Sequence, residues 1–568
     1  MNEQLALNKI NQAMQQLQQG KPAVARDGLL RVLKAYPDSA EVNFLLGLAL
    51  VQLSQGKAAL AHFNRAIALQ PDLAEAYVNR GILLKNQQQL PQALRDFERA
   101  IALRPGMAEA YSNRGNVQVL LDQRAAAHDS FVTALHLDPH NSDAMVNLAA
   151  LLAHAGEYEQ AQPLLQRAVQ LGPHRSDAQV NLANVEYRLG LDGQALQRLE
   201  QVLQTRPAEA AALCCKANLL AEAGEYAAAA VLLEKVLSQA RDNPLARYDL
   251  SLLLLQQGDY PRGWQYYEAR KLDPQLCQRS GLQRFAQPEW QGESLEGKTL
   301  LLHQEQGLGD TIQMLRYLPL LQQRGAQVIM LLNPLLQELA RQMASAVPVF
   351  TRREQLPAFD LHCPMMSLPL RFATTLDNIP AADAYLTVTA EQQQIWAGRL
   401  AARQRPRIGL TWSGSSRHLN DRKRSLQLAQ LHRLLQLDAE FHSLQREYRE
   451  ETALVTAAGI IDHAAELNTL EDTAGLITQM DLVISVDTSV AHLAGALGKA
   501  CWLLLPFNPD FRWGLGRSDS PWYASMQLFR QQAAGEWLPL LDEVARQAAR
   551  QLAVADGAAD SVVAGQHF

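Results

Sequence analysis

The chain has 568 residues, 48% of them hydrophobic and 19% charged, so it can bury a large core, and its length predicts two to four domains. A formal net charge of -6 and a pI near 6.2 leave no basic stripe for a phosphate backbone, so nucleic acid is not expected as a partner. Cys214, Cys215, Cys277, Cys363 and Cys501 are scattered with no CxxC pair, which suits a reducing cytoplasm. The polar opening helix and the lack of a membrane-length apolar run argue against secretion and insertion.

Prolines fall at Pro37, Pro71, Pro105, Pro139, Pro173 and Pro207, each 34 residues after the last. Self-similarity at that period predicts a solenoid of helix pairs. The stretches "AEAYVNRGILLKNQQQLPQALRDFERAIALRPGM" and "AEAYSNRGNVQVLLDQRAAAHDSFVTALHLDPHN" superimpose, with Tyr77 on Tyr111, Ala100 on Ala134 and Pro105 on Pro139. Proline cannot donate to a continuing helix, so it ends the second helix of each pair. Gly156, Gly190, Gly224 and Gly258 mark the turn between the two. Seven pairs fill 6–243 and a partial eighth runs to Arg270 through "YPRGWQYYEAR". Residues 6–270 thus resemble the tetratricopeptide-repeat (TPR) proteins, and the expected fold of this half is an α-solenoid.

Asn79, Asn113, Asn147 and Asn181 share the 34-residue register at the sixth position of the first helix, which predicts a ladder along one face of the superhelix. A short side chain with two donors and two acceptor sites can bind the main chain of an extended peptide whatever its sequence. The pattern resembles the asparagine ladder of the protein O-GlcNAc transferases. The alternative is that these amides bond their own or neighbouring helices. Leu45 and Cys215 end the ladder at four rungs.

Residues 271–297 are rich in Pro, Gly and polar side chains without periodicity and read as a linker. Beyond it, "KTLLLHQEQGLGDTIQMLRYLPLLQQRGAQVIML" alternates strand, glycine loop, helix and strand, and further strands are expected at "FDLHCP" and "AYLTV". These make one lobe over 298–395. A second lobe over 396–550 repeats the alternation through "PRIGLTWSG", "EFHSLQ", "DLVISV" and "ACWLLLP", and 551–568 reads as a flexible tail.

Open parallel sheets bind ligands beyond the carboxyl ends of their strands. "DLVIS" is such a strand, and the following "VDTSVAHLAGALGK" places Asp487, Thr488 and Ser489 where a helix N-terminus begins, with His492 one turn in. That N-terminus can hold a phosphate. The same three residues also suit a helix cap. Glu305, Ser413 and Gln445 lie just beyond other predicted strands, as site groups or as turn structure. "FNPDFRWGLGRSDSPWY" (507–523) reads as a loop covering the cleft.

Three stretches in order, "GLGDTIQ" (307–313), "GLTWSGSSRHLNDRKRS" (409–425) and "DTSVAHLAGALGK" (487–499), resemble the heptosyltransferase-type glycosyltransferases. The resemblance implies an α/β GT-B fold of two Rossmann-like lobes working without metal or cofactor on a nucleotide-sugar donor. It implies Asp310 as the base, with helix capping the alternative. Lys423 or Arg424 matches the donor-phosphate cation. Asp487, Thr488 and His492 match the donor turn, in which Ser489 replaces the usual Gly. Three functions follow as expectations: a glycosyltransferase acting on a protein presented by the solenoid; one acting on a saccharide or lipopolysaccharide precursor; or a scaffold with a degenerate transferase fold.

Overall fold

The computed structural model describes residues 3–343, 346–380, 383–415, 420–449 and 452–564, without the side chains of 553–564. The chain forms two compact units, Met1–Glu209 and Ala210–Phe568.

In the first unit the 34-residue period produces twelve helices in six pairs: α1 (Glu3–Gln18) with α2 (Pro22–Ala35), α3 (Ala40–Gln52) with α4 (Gly56–Leu69), α5 (Ala74–Asn86) with α6 (Leu90–Leu103), α7 (Ala108–Leu120) with α8 (Arg124–Leu137), α9 (Ser142–Ala155) with α10 (Tyr158–Leu171), and α11 (Ser176–Arg188) with α12 (Asp192–Thr205). One packing rule repeats. Gly47, Gly81 and Gly115 face Phe63, Phe97 and Phe131 so closely that an added Cβ would come within 3 Å of the ring. Where the first register holds Ala13, Ala149 or Ala183, the second holds Leu29, Leu165 or Leu199, all of them buried. Small with large and medium with medium conserves volume, which is what a close-packed interior tolerates. The turn within each pair takes a left-handed residue in the same register, at Gly20, Ser54, Gln88, Asp122, Gly156 and Gly190. The glycine signal therefore covers only some of the turns.

The second unit opens with two more pairs, α13 (Ala210–Glu222) with α14 (Tyr226–Gln239) and α15 (Pro244–Gln256) with α16 (Tyr260–Tyr267). Two all-parallel sheets follow. The first has the order β3-β2-β1-β4, with β1 Thr299–His303, β2 Gln327–Leu331, β3 Val349–Phe350 and β4 Leu361–Pro364. The second has the order β10-β9-β8-β5-β6-β7, with β5 Arg407–Thr411, β6 Glu440–Ser443, β7 Ile460–Ile461, β8 Leu482–Val486, β9 Cys501–Leu505 and β10 Met526–Arg530. Almost every strand residue is buried, as parallel sheets covered on both faces require. The expected strand at "AYLTV" is not part of either sheet: the amides of Tyr385 and Leu386 both donate to the Ala496 carbonyl, at 2.9 and 3.0 Å, so the segment bridges the lobes instead. The two-residue β3 and β7, and β10, were not anticipated.

The compact-unit boundary at residue 209 lies inside the expected solenoid, and α16 explains why. Tyr260, Trp264 and Tyr267 fall on one helical face and are at most 2% exposed. Trp264 meets Phe511 and Trp522 edge-on at centroid distances of 5.7 and 6.5 Å, and the Trp522 indole donates to the Tyr260 hydroxyl at 3.1 Å. Arg270, 1% exposed, makes a two-pronged pair with Glu305, at 2.9 and 2.6 Å, just beyond β1. In the repeat register Arg270 occupies the place that Val32, Ala66, Ala100, Ala134, Ala168, Val202 and Val236 fill with small buried groups. The linker expected over 271–297 is built into this junction: it contains the helix Pro274–Ser280, fully buried Trp290, and Lys271 and Glu289, which join Glu268 and Arg371 in one ion-pair network. The expected tail from 551 begins inside the helix Trp537–Ala564.

Each lobe buries a histidine pair. His303 and His362 face each other at 3.1 Å on β1 and β4, and His442 and His463 stack with ring nitrogens 3.0 Å apart.

A chain starting at Ala210 should therefore fold cooperatively, while one starting at Lys271 loses the aromatic face of α16 and leaves Glu305 buried without its partner. Breaking a buried pair in this way costs about 3 to 5 kcal/mol before any packing loss is counted. Thermal unfolding followed by circular dichroism should show the shorter chain melting far below the longer. Equal melting temperatures would contradict the junction.

Candidate functional site

In each sheet the chain reverses direction beside its first strand, between β1 and β4 in one lobe and between β5 and β8 in the other. The crevice beyond the carboxyl ends of such a strand pair is where open α/β sheets place ligands. The residues beyond β1, β5 and β8 are the ones singled out in the sequence.

Beyond β1, Gly307 caps α17 (Leu308–Leu315), and the Asp310 carboxylate accepts the Gly307 amide proton at 2.7 Å. Its other oxygen is paired with Arg512. Arg512 is 6% exposed and comes from the other lobe; it also donates to Gln313 at 2.8 Å and to Asp510 at 2.7 Å. Asp310 therefore does cap a helix, and it also faces across the lobes.

Beyond β8, Thr488 precedes α18 (Ser489–Ala496), with its hydroxyl 3.3 Å from that of Ser485 and no side-chain capping bond to the helix. Ser489 is half-buried at the first helical position. His492 is buried: its Nδ1 lies 2.9 Å from the Tyr523 hydroxyl, and the Trp513 ring is 5.2 Å away. A Cβ added at Gly309 would stand 2.6 Å from the His492 ring, so α17 reaches α18 only because residue 309 is glycine. Burial, reinforced by Arg512, Arg316 and Arg424, holds the His492 ring neutral, with its pKa well below 6.5. Asp487 is pushed the other way, above the usual carboxylate range, by burial first and then by the charge of Asp510, against the pull of Arg424.

Beyond β5, Gln445 accepts the amide protons of Trp412 and Ser413, at 2.7 and 2.9 Å, and tethers this loop to the one after β6. Ser413 and Gln445 are thus turn structure. Glu305 is likewise committed, to Arg270 and the Met366 amide. Of the basic run, Arg424 donates to the Asp487 carbonyl at 2.6 Å, directly before α18. Gly414 admits it, since a Cβ there would lie 2.5 Å from its Nη2. Lys423 is paired at 2.7 Å with Glu222 at the end of α13. Residues 416–419 of this motif lie outside the described residues.

The loop 507–523 does more than cover a cleft. Phe511, Trp513, Trp522 and Tyr523 are buried, and Asn508 accepts bonds from Tyr226 at 3.2 Å and Gln256 at 2.8 Å. Arg512, Asp510 and Tyr523 were missed as site residues. The available signal was an arginine set between two aromatic residues, Phe511 and Trp513, inside that loop.

In the first unit Asn79, Asn113, Asn147 and Asn181 are all half-buried on successive first helices. Asn113 and Asn147 line a polar cleft of about 420 Å³ together with Lys85, Ser112, Asn116 and Arg175. The amides of Asn79 and Asn113 each donate to the carbonyl four residues back, Glu75 at 2.9 Å and Glu109 at 3.1 Å, so part of their capacity is spent within the helix. Arg175 is held by Asp143 and Asp177. Among the described residues no group of three or more His, Cys, Asp or Glu is arranged to hold a metal ion, and no helix is long and apolar enough to cross a membrane.

The folded state keeps His303 near a pKa of about 3 and His442 near about 4, chiefly by burial, and His492 well below 6.5. The unfolded chain, with its histidines near 6.5, therefore takes up protons first as the pH falls. Stability is full above that value and is lost below it, by up to about 1.4 kcal/mol per pH unit for each ring. Asp487 has the opposite sign: its raised pKa favours the folded state in acid, and that contribution is lost as the pH rises through the folded value. His362 and His463, lowered by burial in the same direction, add to these rings, so the balance against Asp487 is a net acid lability. The urea midpoint should be lower at pH 5 than at pH 7, and an equal or higher midpoint at pH 5 would contradict the burial of neutral rings.

Comparison with known proteins places tetratricopeptide repeats across the N-terminal half. Family models described as tetratricopeptide repeat match residues 10–74, 74–107, 141–208 and 220–265. The chain is similar to protein FlbA of Caulobacter vibrioides (strain ATCC 19089 / CIP 103742 / CB 15), 28% identical over 338 residues, 54% of this chain and 55% of that protein. It thus spans about half the length of this curated relative. Among solved structures it is similar to YrrB, described as a TPR protein with an unusual peptide-binding site (28% identity, 32% of this chain and 95% of that one, TM-score 0.28). It is also similar to PilF of Pseudomonas aeruginosa (20% identity, 37% and 96%, TM-score 0.35). A third is a tetratricopeptide repeat protein of Parabacteroides merdae ATCC 43184 (18% identity, 44% and 99%, TM-score 0.36).

Proposed function

We propose that the protein is a metal-independent glycosyltransferase of the two-lobed GT-B type, moving a sugar from a nucleotide-sugar to a protein segment bound by the repeats. The observation that carries this reading is the meeting of the two switch-point loops: Asp310 from one lobe and the turn Asp487–His492 from the other converge through the Gly309–His492 contact and Arg512. In the reaction Asp310 accepts the proton of the attacking hydroxyl. Arg424, Lys423 and the N-terminus of α18 neutralise the departing nucleoside diphosphate.

If so, Thr488→Ala and Arg424→Ala should each weaken nucleoside diphosphate binding in calorimetry without lowering the melting temperature, and unchanged affinity in both would remove the donor site. Asp310→Asn should lower turnover by roughly a hundred to ten-thousandfold while the donor still binds. Near-normal turnover with reduced stability would leave Asp310 as a cap alone.

A second reading, a protein-interaction scaffold with a transferase-like body, draws on the same geometry. Asp310 is engaged by Gly307 and Arg512, His492 is walled in by Gly309, Trp513 and Tyr523, and Lys423 is paired with Glu222. Failure of the chain to bind or hydrolyse any nucleotide-sugar would favour it.

The repeats supply the acceptor side. Each Asn of the ladder exchanges a bond with water and contributes only about 0.5 to 1.5 kcal/mol, so one substitution hardly registers. Replacing Asn79, Asn113, Asn147 and Asn181 together by Ala should abolish modification of a polypeptide acceptor and spare donor binding. Wild-type modification by the quadruple variant would make the ladder repeat architecture alone.

A further inference from the structure

The cation expected to meet a phosphate is held by the repeat array. Glu222, the last residue of α13, sits 2.7 Å from the Lys423 ammonium through Oε2. Its side chain is only 17% exposed, against 40% for the lysine. The contact is part of a wider seat. Two residues on, a Cβ at Gly224 already lies 3.3 Å from the Phe507 ring, and the Tyr226 hydroxyl donates to Asn508 at 3.2 Å. The turn between α13 and α14 therefore rests on two loops of the second lobe, the one after β5 that carries Asp421–Arg424 and the one after β9.

The adjacent Arg424 is turned the other way, onto the carbonyl of Asp487 at the entry to α18. Lys423 and Arg424, neighbours on one short helical turn, thus link the last repeats to the turn beyond β8. A diphosphate entering there would meet the lysine together with a carboxylate already neutralising it. Like charges at such separations, partly shielded from water, repel appreciably, and the lysine cannot serve both anions fully.

We propose that Glu222 is a positioning residue contributed by the repeats: it engages Lys423 in the unliganded protein and sets how tightly the second lobe takes a diphosphate. Displacing α13 from the loop takes the Glu222 carboxylate away from the lysine, so repeat position and anion affinity are linked, each altering the other by the same factor. This inference rests on the donor site proposed above.

The test uses the full chain and four probes, UDP, GDP, ADP and CDP, titrated calorimetrically at fixed ionic strength. For whichever nucleotide binds, Glu222→Gln should bind it three- to tenfold more tightly than wild type. Adding Lys423→Ala should abolish that gain, because without the ammonium the carboxamide has nothing to release. A melting temperature matching wild type confirms that the variants are folded. A Glu222→Ala variant, which removes the side chain without leaving an amide, should show the same gain. If a nucleotide binds wild type and both Glu222 variants alike or more weakly, or if the gain persists without Lys423, the assignment of Glu222 is wrong and the donor site stands. If no nucleotide binds wild type or variant, both fall.

Discussion

The buried pair between Arg270 and Glu305 sets the architecture of the second unit. Two charges at most 2% exposed must find each other, and Arg270 reaches Glu305 only if the last repeat helix lies against the loop beyond β1. Around the pair, Glu268, Lys271, Glu289 and Arg371 extend the network, while Tyr260, Trp264 and Tyr267 supply the apolar contact. Such a pair adds little net stability over an apolar substitute, but losing one partner is expensive. The pair joins the end of the last repeat to the loop beyond β1.

That junction reaches the candidate site through one loop. Phe511 packs on Trp264 and Tyr267, and the next residue, Arg512, pairs with Asp310 and Asp510; Trp513 then lies on His492. Within three consecutive residues the chain passes from the docking face of α16 to the meeting point of the two lobes. The repeats α13–α16 and the polar centre therefore share one packed body.

The 34-residue register, the helix pairs and the alternation of strands and helices were legible because they depend on period and on proline, which a single sequence displays directly. The second-lobe strands "PRIGLTWSG", "EFHSLQ", "DLVISV" and "ACWLLLP" each contain an observed strand for the same reason. "AYLTV" looked like a strand because its composition suits one, but its amides go to the Ala496 carbonyl, a tertiary choice that no local pattern encodes. The edges β3 and β7 are two residues long and too short to carry a period. The candidate site was legible by position beyond strands: Asp310, Arg424 and the Asp487–His492 turn do come together. Glu305, Ser413 and Gln445 stood in equally good positions, yet they are engaged by groups distant in sequence, Glu305 by Arg270 and Gln445 by the amides of Trp412 and Ser413. Arg512 escaped because its acidic partner lies about two hundred residues away, across the lobes. The compact-unit boundary at residue 209 falls inside the repeats because α13–α16 keep the repeat period while packing as part of the α/β body. Arg241 in place of the periodic proline and Arg270 in place of a small buried residue are breaks in register within these last repeats.

Native-state hydrogen exchange measures most directly whether the last repeats and the lobes are one cooperative body. Amides in α15 and α16 should open only with those of β1 and β8, with the same free energy and the same denaturant dependence, because α16 cannot leave without exposing Arg270, Glu305 and the aromatic face. Opening of α15 and α16 at markedly lower free energy, in step with α1–α12 and ahead of the sheets, would contradict the account.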